Sequence, residues 1–269
     1  MEPSNVIPEK AAFLGAGAIA GVMIERLLSK GLWDVEDLMA TDARPERLAE
    51  LQQQFGIKVA AGNRDGARYG QVIFIAVPPH QTIPVLAEVA QELSDSKLIV
   101  SLAAAVPTAA MERAIGKPVP VVRVIPNTPS LVGAGMNPHC LGSHVSEEHA
   151  HVLKAILAAL GETIEIEEAL MNTVTALTAV GPTYVFPIIK ALAEAAEARG
   201  LSHDTAFRAA GQVVEGTARL VVQTGRDPDD LKRMIGLRTL DEERSKPIFR
   251  EAFVSALEKL NASEKKLAA

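Results

Sequence analysis

The chain has 269 residues, a formal net charge of -6 and an apolar fraction of 48%. This length and apolar content allow two folded domains and exclude a largely disordered chain. The acidic balance, without any run of Lys or Arg, argues against a nucleic-acid partner. The lone cysteine, Cys140, cannot form an internal disulfide and is predicted to be a packing residue in a reducing compartment.

The first ten residues, MEPSNVIPEK, contain acids and no apolar core, so they predict no signal peptide. Later apolar runs are short or are interrupted by Gly, Pro or charge, which predicts no membrane span. We therefore expect a cytoplasmic protein.

Strand and helix patterns alternate over residues 1–167. Apolar strands are predicted at AAFLGAG, DLMATDA, QVIFIAVPP, KLIVSLAAA, PVVRVIPN and ETIEIEE. Helical patterns are predicted at about 19–29, 45–55, 81–93 and 149–160. This rhythm predicts an α/β fold with a doubly wound parallel sheet.

Residues 168–269 carry helical patterns only and are rich in alanine, which predicts an all-α domain. The helix after Gly181 is apolar on most of its faces, and such a helix is normally buried. A helical domain of this size has little interior in which to bury it. We therefore expect a second copy of the chain to cover it, in an obligate homodimer.

The segment GAGAIA follows the first strand and opens a helix, and it has the G-x-G-x-x-G/A spacing of dinucleotide-binding proteins. Gly15 permits the tight turn, Gly17 lets a pyrophosphate approach the backbone, and Ala20 allows close packing of helix on strand. The free N–H groups of the helix start attract the anion. We therefore predict that Gly15, Gly17, Ala18, Ile19 and Ala20 bind a dinucleotide.

Two further strand ends extend the predicted cofactor site. Asp42 ends the second strand and is positioned to accept a hydrogen bond from the adenosine ribose, which favours NAD. Arg44 could instead meet the 2′-phosphate of NADP, so both cofactors stay open. Ala76, Val77 and Pro78 end the third strand, where ligands bind in open α/β sheets.

The segment VRVIPNTPSLVGAG begins as the fifth strand and continues as a loop with two prolines. Proline fixes φ and restricts the preceding residue, so the backbone is held in one shape. Asn127 and Thr128 are the polar groups of this loop. No Cys/His ligand set is present, and no metal site is predicted.

Four segments together resemble the pyrroline-5-carboxylate reductases, over about residues 11–260. They are FLGAGAIA, AVPPHQ, VRVIPNTPSLVGAG and AVGPTYVFPIIKALAEAAEARGL, in the family's order and approximate spacing. The resemblance implies a Rossmann-like domain, a helical dimerisation domain, and reduction of a cyclic imine by NADPH or NADH to give L-proline. It also implies a homodimer, and larger rings of dimers occur in the family.

The resemblance also assigns site residues. It implies that Thr178 and Tyr184 are catalytic and that Gly181 binds substrate. It places Asn127 against both cofactor and substrate, and Thr128 against substrate. An iminium carbon can accept hydride directly, so such a site needs mainly to orient the ring.

The sequence departs from the family where a Ser-Pro-Gly-Gly-Thr-Thr loop should hold the substrate carboxylate. The chain instead runs DDLKRMIGLRTLDEERSKPIFREAF and is several residues shorter. Arg233, Arg238 or Arg244 could replace those donors, because guanidinium pairs well with carboxylate; the competing interpretation is a solvated helix face.

Two alternatives stay open. A 3-hydroxyacid-type dehydrogenase would use a lysine on the long helix as acid and base, and Lys190 is the candidate. A non-catalytic dinucleotide-binding dimer would account for the missing loop.

Overall fold

The computed structural model describes residues 7–268, so most of the N-terminal segment considered for a signal peptide lies outside the described residues. The described residues form one eight-stranded sheet. Its strands, in chain order, are β1 (Ala11–Leu14), β2 (Leu38–Thr41), β3 (Lys58–Ala60), β4 (Val72–Ile75), β5 (Leu98–Ser101), β6 (Val121–Val124), β7 (Gly135–Leu141) and β8 (Gly161–Glu165). The spatial order is β3-β2-β1-β4-β5-β6-β7-β8.

Seven helices connect or follow these strands before residue 180. They are α1 (Ala18–Ser29), α2 (Pro45–Phe55), α3 (Asn63–Tyr69), α4 (Pro79–Val89), α5 (Thr108–Ile115), α6 (Glu147–Ala158) and α7 (Met171–Thr178). The remaining helices are α8 (Pro182–Glu197), α9 (His203–Thr224), α10 (Pro228–Lys232) and α11 (Glu242–Ala268).

Both faces of the sheet are covered, as a doubly wound fold requires. On β1, Phe13 packs under α1 and α6 in one apolar cluster, while Leu14 joins α3, α4 and α5 in the other. The side chains of β4 also alternate between these two clusters. The ring of Phe74 stacks on that of Phe13, with 4.3 Å between the ring centroids. Fully burying each such side chain contributes about 1.5–3 kcal/mol. The predicted Rossmann-like α/β fold is therefore confirmed.

Several elements were not predicted. β3 has three residues, and α3 contains Gly66, which lies so close to the sheet that a Cβ there would be 2.7 Å from Leu14 Cδ2. α5 was also missed. β7 is antiparallel to β6, so the sheet is not wholly parallel as predicted. Its start at Gly135 lies against Ser130 and Leu160, where no side chain would fit.

The chain forms two compact units. The first contains the described residues through Val180 and those from Ala256 onward, and the second contains Gly181–Ser255. The domain limits 1–167 and 168–269 stay a prediction.

In the second unit, α8 and α9 pack through small side chains. Ala193, Ala206 and Ala210 are buried at this contact. α9 begins at Ser202, whose side chain accepts a hydrogen bond from the N–H of Thr205, as an N-cap does. Two helices follow α9: α10 has five residues, and α11 is a long helix of 27 residues.

A buried polar network lies beside β6 in the first unit. Arg123 is fully buried, and its Nη1 donates to Glu168 Oε1 at 2.7 Å. Glu168 Oε2 accepts from the N–H and hydroxyl of Thr108 at 3.0 and 2.5 Å. Arg123 Nη2 donates to Asn172 Oδ1 at 3.4 Å. The network joins β6 to α5 and to the start of α7.

Cys140 lies on β7 beside this network and is buried. Burial and the neighbouring negative charge of Glu168 raise the pKa of its thiol to about 12. A thiol with such a pKa stays protonated at neutral pH and is a poor nucleophile. This environment suits a packing residue.

Candidate functional site

A cleft of about 620 Å³ opens at the carboxyl ends of the central strands. The strand order reverses between β1 and β4, and open α/β sheets bind ligands at such a switch point. Its size is typical of a small-molecule site. The cleft is lined by Gly15, Gly17, Ile19, Asp42, Ala43, Arg44, Asn63, Ala76, Val77, Pro78, Pro79, Gln81, Val85, Leu102, Ala103 and Ala104.

The two glycines of the turn have different environments. Gly15 has φ of +100°, and a Cβ there would lie 2.7 Å from the backbone carbonyl atoms of Ala76. Gly17 has φ of -67° and ψ of -178°, and a Cβ there would meet only the Ala76 oxygen, at 3.9 Å. Gly15 is therefore needed by the fold, whereas Gly17 keeps open the floor of the cleft in front of α1.

Asp42 follows β2 and holds the glycine turn. Its Oδ2 accepts from the N–H of Ala16 at 2.9 Å and from Arg44 Nη2 at 3.2 Å. Its Oδ1 accepts from the N–H and the Nε of Arg44, both at 2.9 Å. Burial alone would raise the pKa of Asp42, but these hydrogen bonds outweigh it and lower the pKa from 3.8 to about 2.

The depressed pKa of Asp42 gives a pH-dependent prediction. A carboxylate whose pKa is lower in the folded than in the unfolded chain stabilises the fold above the unfolded value. That stability is lost as the pH falls from 3.8 towards 2. We expect Asp42→Asn to cost up to about 2 kcal/mol at neutral pH. The difference from wild type should shrink in that acidic range when urea unfolding is followed; a difference independent of pH would contradict the prediction.

The structure brings most of the predicted cofactor residues together. Eight of them line the cleft: Gly15, Gly17, Ile19, Asp42, Arg44, Ala76, Val77 and Pro78. Ala20 is fully buried on the inner face of α1, where a small side chain allows close packing. Ala18 is exposed at the start of α1, outside the lining. Asn127 does not line the cleft either.

Sequence reasoning missed part of the lining. Asn63 starts α3, accepts a hydrogen bond from the Thr41 hydroxyl at 3.0 Å and donates to Glu88 at 2.9 Å. Leu102, Ala103 and Ala104 follow β5. Their position directly after an apolar strand could have identified them from the sequence, because the predicted parallel strands all have their carboxyl ends at the edge of the sheet where the cleft opens.

The next residue along this loop, Ala105, has φ of +61°. A side chain in that left-handed region costs roughly 1–2 kcal/mol. A strained backbone of this kind is concentrated at functional sites.

The Pro-Asn-Thr-Pro loop is held by its own asparagine. Asn127 Oδ1 accepts from the N–H of Met136 at 3.1 Å, and its Nδ2 donates to the carbonyl of Thr178 at 3.0 Å. Asn127 is buried, and Thr128 beside it is exposed. The side chain of Asn127 thus ties β7 and the end of α7 to the loop.

The other predicted site residues are distributed over both units. Thr178 ends α7, and its hydroxyl donates to the carbonyl of Val174 at 2.9 Å. Gly181 and Tyr184 belong to the second unit, where the Tyr184 hydroxyl lies 3.5 Å from the carbonyl oxygen of Ala252. Within residues 7–268 no group of three His, Cys, Asp or Glu side chains is placed to hold a metal ion.

Comparison with known proteins finds two family matches. Residues 10–105 match the family described as NADP oxidoreductase coenzyme F420-dependent, and residues 168–263 match pyrroline-5-carboxylate reductase dimerisation. The chain is 30% identical to a pyrroline-5-carboxylate reductase of Methanosarcina acetivorans, covering 96% of this chain and 99% of that protein. It is 32% identical to the reductase of Escherichia coli, covering 96% and 98%.

Among solved structures, the chain resembles Plasmodium falciparum pyrroline carboxylate reductase with NADP bound. The TM-score is 0.85 at 25% identity, with 97% of this chain and 99% of that chain covered. Both the sheet unit and the helical unit therefore have counterparts in one kind of protein.

Proposed function

The chain belongs to the pyrroline-5-carboxylate reductase family, and on that basis we propose that it reduces pyrroline-5-carboxylate or a related cyclic imine. The product from pyrroline-5-carboxylate is L-proline, and the reductant is NADPH or NADH. The observation that carries the proposal is the glycine turn at the sheet's switch point, in a chain that aligns over nearly its whole length with such reductases.

The residues of the cleft fit a dinucleotide. Gly17 leaves space in front of the α1 N-terminus, where free N–H groups attract a pyrophosphate. Ala76, Val77 and Pro78 supply an apolar wall at the end of β4. When bound, the reduced nicotinamide supplies the hydride.

The protein itself needs to hold and orient the imine. An imine nitrogen can be protonated in water before binding, so this reaction needs no strong acid in the site. Orientation then supplies much of the rate, and a rigid loop serves it well. We propose this role for Thr128 on the Pro-Asn-Thr-Pro loop, with Asn127 holding the loop. We propose that Thr178, Gly181 and Tyr184 complete the substrate site.

The substrate carboxylate needs a cation or N–H donors. In the second unit Arg233 already pairs with Asp230 at 3.0 Å. In the described part of the chain, the side chains of Arg238 and Arg244 make no ion pair. We therefore propose Arg238 and Arg244 as the groups that replace the family's carboxylate loop.

A homodimer is part of the proposal. The second unit exposes many large apolar side chains, among them Phe186, Leu192, Val213 and Phe249. Apolar surface on this scale marks an interaction site. The match of residues 168–263 to a dimerisation family supports a second copy as the partner.

A bilayer is the other environment that such a surface could face. Among the described residues, one segment, Glu168–Glu197, is long enough for a membrane span and contains an 18-residue stretch with a mean hydropathy of 1.4. The segment is interrupted between α7 and α8. We propose that a second copy, and not a membrane, covers it, in a cytoplasmic protein.

The alternative of a 3-hydroxyacid-type dehydrogenase depends on Lys190 as acid and base. Lys190 is exposed and pairs with Glu194 one turn along α8, at 3.7 Å. This is an ordinary surface pair. We expect the Lys190→Ala variant to keep full turnover. A loss of turnover in this variant would favour the dehydrogenase interpretation.

The test is oxidation of NADPH and NADH by the full-length protein with pyrroline-5-carboxylate, and then with cyclic imines lacking the carboxylate. We expect turnover with at least one imine, and none with Gly17→Ala. Turnover only without the carboxylate would indicate a changed substrate. Dinucleotide binding with no turnover on any imine would overturn the proposal in favour of the non-catalytic dimer.

A further inference from the structure

The wall of the cleft that follows β5 ends in a strained residue. Leu102, Ala103 and Ala104 line the cleft, and the next residue, Ala105, is buried with φ of +61°. Of the residues that the structure describes, it is the only non-glycine with a positive φ. An alanine keeps this left-handed conformation only where its surroundings hold it, because the other backbone regions are lower in energy. The loop therefore needs an anchor on each side of Ala105.

The anchor before Ala105 is the sheet. The N–H of Leu102 donates to the carbonyl of Ile75, the last residue of β4, at 3.0 Å. This bond extends the pairing of β5 with β4. The N–H of Ala103 donates to the hydroxyl of Ser101, the last residue of β5, at 3.3 Å. The start of the loop is thus fixed to two central strands.

The anchor after Ala105 is a buried carboxylate. Thr108 is the first residue of α5, and both its N–H and its hydroxyl donate to Glu168 Oε2. The N–H groups of a first helical turn have no partner within their helix, so this carboxylate caps α5. Arg123 on β6 holds the other oxygen of Glu168. Burial alone would raise the pKa of Glu168, but the hydrogen bonds from Thr108 and Arg123 lower it, so the carboxylate is charged and binds Thr108 strongly.

The wall between these two anchors lies across the cleft from Asp42, because β1 and β4 separate β2 from β5. A dinucleotide with its pyrophosphate at the start of α1 and its adenosine end near Asp42 extends over the ends of β4 and β5. The nicotinamide half of the proposed cofactor would therefore lie against residues 102–104. A displacement of about 1 Å in this part of a site slows hydride transfer severely, because the reacting carbon atoms must be in near contact.

We propose that Thr108 and Glu168 are positioning residues for hydride transfer. By holding the start of α5 they keep Ala105 in its left-handed conformation, and this conformation sets the wall formed by residues 102–104 against the nicotinamide. The inference rests on the proposed function. It differs from a purely structural role, because it predicts a slower hydride transfer in protein that is fully folded and saturated with cofactor.

The test is single-turnover reduction of pyrroline-5-carboxylate, or of the cyclic imine that wild type reduces fastest. The full-length protein is saturated with whichever of NADPH and NADH it binds more tightly. Thr108→Val keeps the shape of the side chain and the pair of Arg123 with Glu168 but removes the hydroxyl. We expect it to slow hydride transfer at least about tenfold and to change the dissociation constant of the dinucleotide less than about threefold. Thr108→Ser keeps the hydroxyl and should recover most of the lost rate.

A glycine at position 105 tests the part played by the strain. Glycine adopts the left-handed conformation at little cost, so the loop then depends less on the hold at Thr108. Adding Ala105→Gly to Thr108→Val should raise the rate at least about threefold, and Ala105→Gly alone completes the double-mutant cycle. Ala109→Gly is the matched control. Ala109 is exposed on α5, and a glycine there should give no recovery.

Amide hydrogen exchange supplies a readout that needs no cofactor. In cofactor-free Thr108→Val, the amides of residues 102–106 should exchange at least about tenfold faster than in wild type, while those of β1 keep their protection. Protection of β1 also shows that the variant is folded. Thr108→Ala serves for the same measurements if Thr108→Val does not fold.

Several results would overturn the inference and leave imine reduction intact. They are an unchanged rate in folded Thr108→Val, an equal loss of rate in Thr108→Ser, a loss of dinucleotide affinity as large as the loss of rate, and equal recovery by Ala105→Gly and Ala109→Gly. Absence of turnover by wild type with every imine would overturn this inference and the proposed function together.

Discussion

Replacing Gly15 with alanine is expected to destabilise the protein by about 3 kcal/mol or more. Gly15 has φ of +100°, which L side chains rarely adopt. Its Cβ would also lie 2.7 Å from the carbonyl carbon and oxygen of Ala76 and 2.8 Å from the nitrogen of Val77. These are backbone atoms of β4's end and cannot rotate away. The free energy of unfolding in urea measures the loss.

Gly17→Ala is the matched variant for this prediction. The backbone of Gly17 is extended, and its Cβ would make only an ordinary contact. We expect stability within about 1 kcal/mol of wild type, and dinucleotide affinity reduced at least about tenfold. Similar losses of stability in both variants, or unchanged dinucleotide binding by Gly17→Ala, would contradict this division of roles.

Replacing Arg123 with alanine is expected to lower the free energy of unfolding by about 3–5 kcal/mol. Removing one partner of a buried ion pair leaves the other charge buried without a partner. Arg123 is fully buried and bonds to Glu168 and Asn172. Its loss would remove the positively charged partner of the Glu168 carboxylate, which would keep its hydrogen bonds from Thr108. The cost is read from urea unfolding at neutral pH, where Glu168 is ionised.

Arg68→Ala supplies the comparison for this prediction. The pair of Arg68 with Glu92 is exposed, and such pairs contribute less than about 1 kcal/mol. The double variant Arg123→Met with Glu168→Leu should regain part of the lost stability, because an apolar pair needs no charge partner, while the N–H and hydroxyl of Thr108 lose their acceptor. An Arg123→Ala variant no less stable than Arg68→Ala would show that the buried network contributes little.

The sequence was informative wherever one local pattern determined the structure. The apolar run of β4 and the glycine spacing at Gly15 and Gly17 predicted the sheet and its cleft. Ser202 and Gly225 cap the two ends of α9, and serine and glycine are residue types that favour these positions. These features depend on neighbours in the chain, so they can be recognised without tertiary contacts.

Other features depend on contacts between distant residues. α3 contains Gly66 because it lies close to β1, where a Cβ would be 2.7 Å from Leu14 Cδ2, and no local pattern records such a contact. The direction of β7 depends on its pairing with β6. The part played by Asp42 could be assigned only once Ala16 and Arg44 were placed around it. A lone arginine in the valine strand β6 was the visible sign of the buried network.

The most direct test of the central claim is transfer of deuterium from labelled NADPH to pyrroline-5-carboxylate, with the product analysed by mass spectrometry. Imine reduction predicts L-proline carrying one deuterium, on the carbon that had been double-bonded to nitrogen. Formation of no labelled proline by a protein that binds NADPH would contradict it.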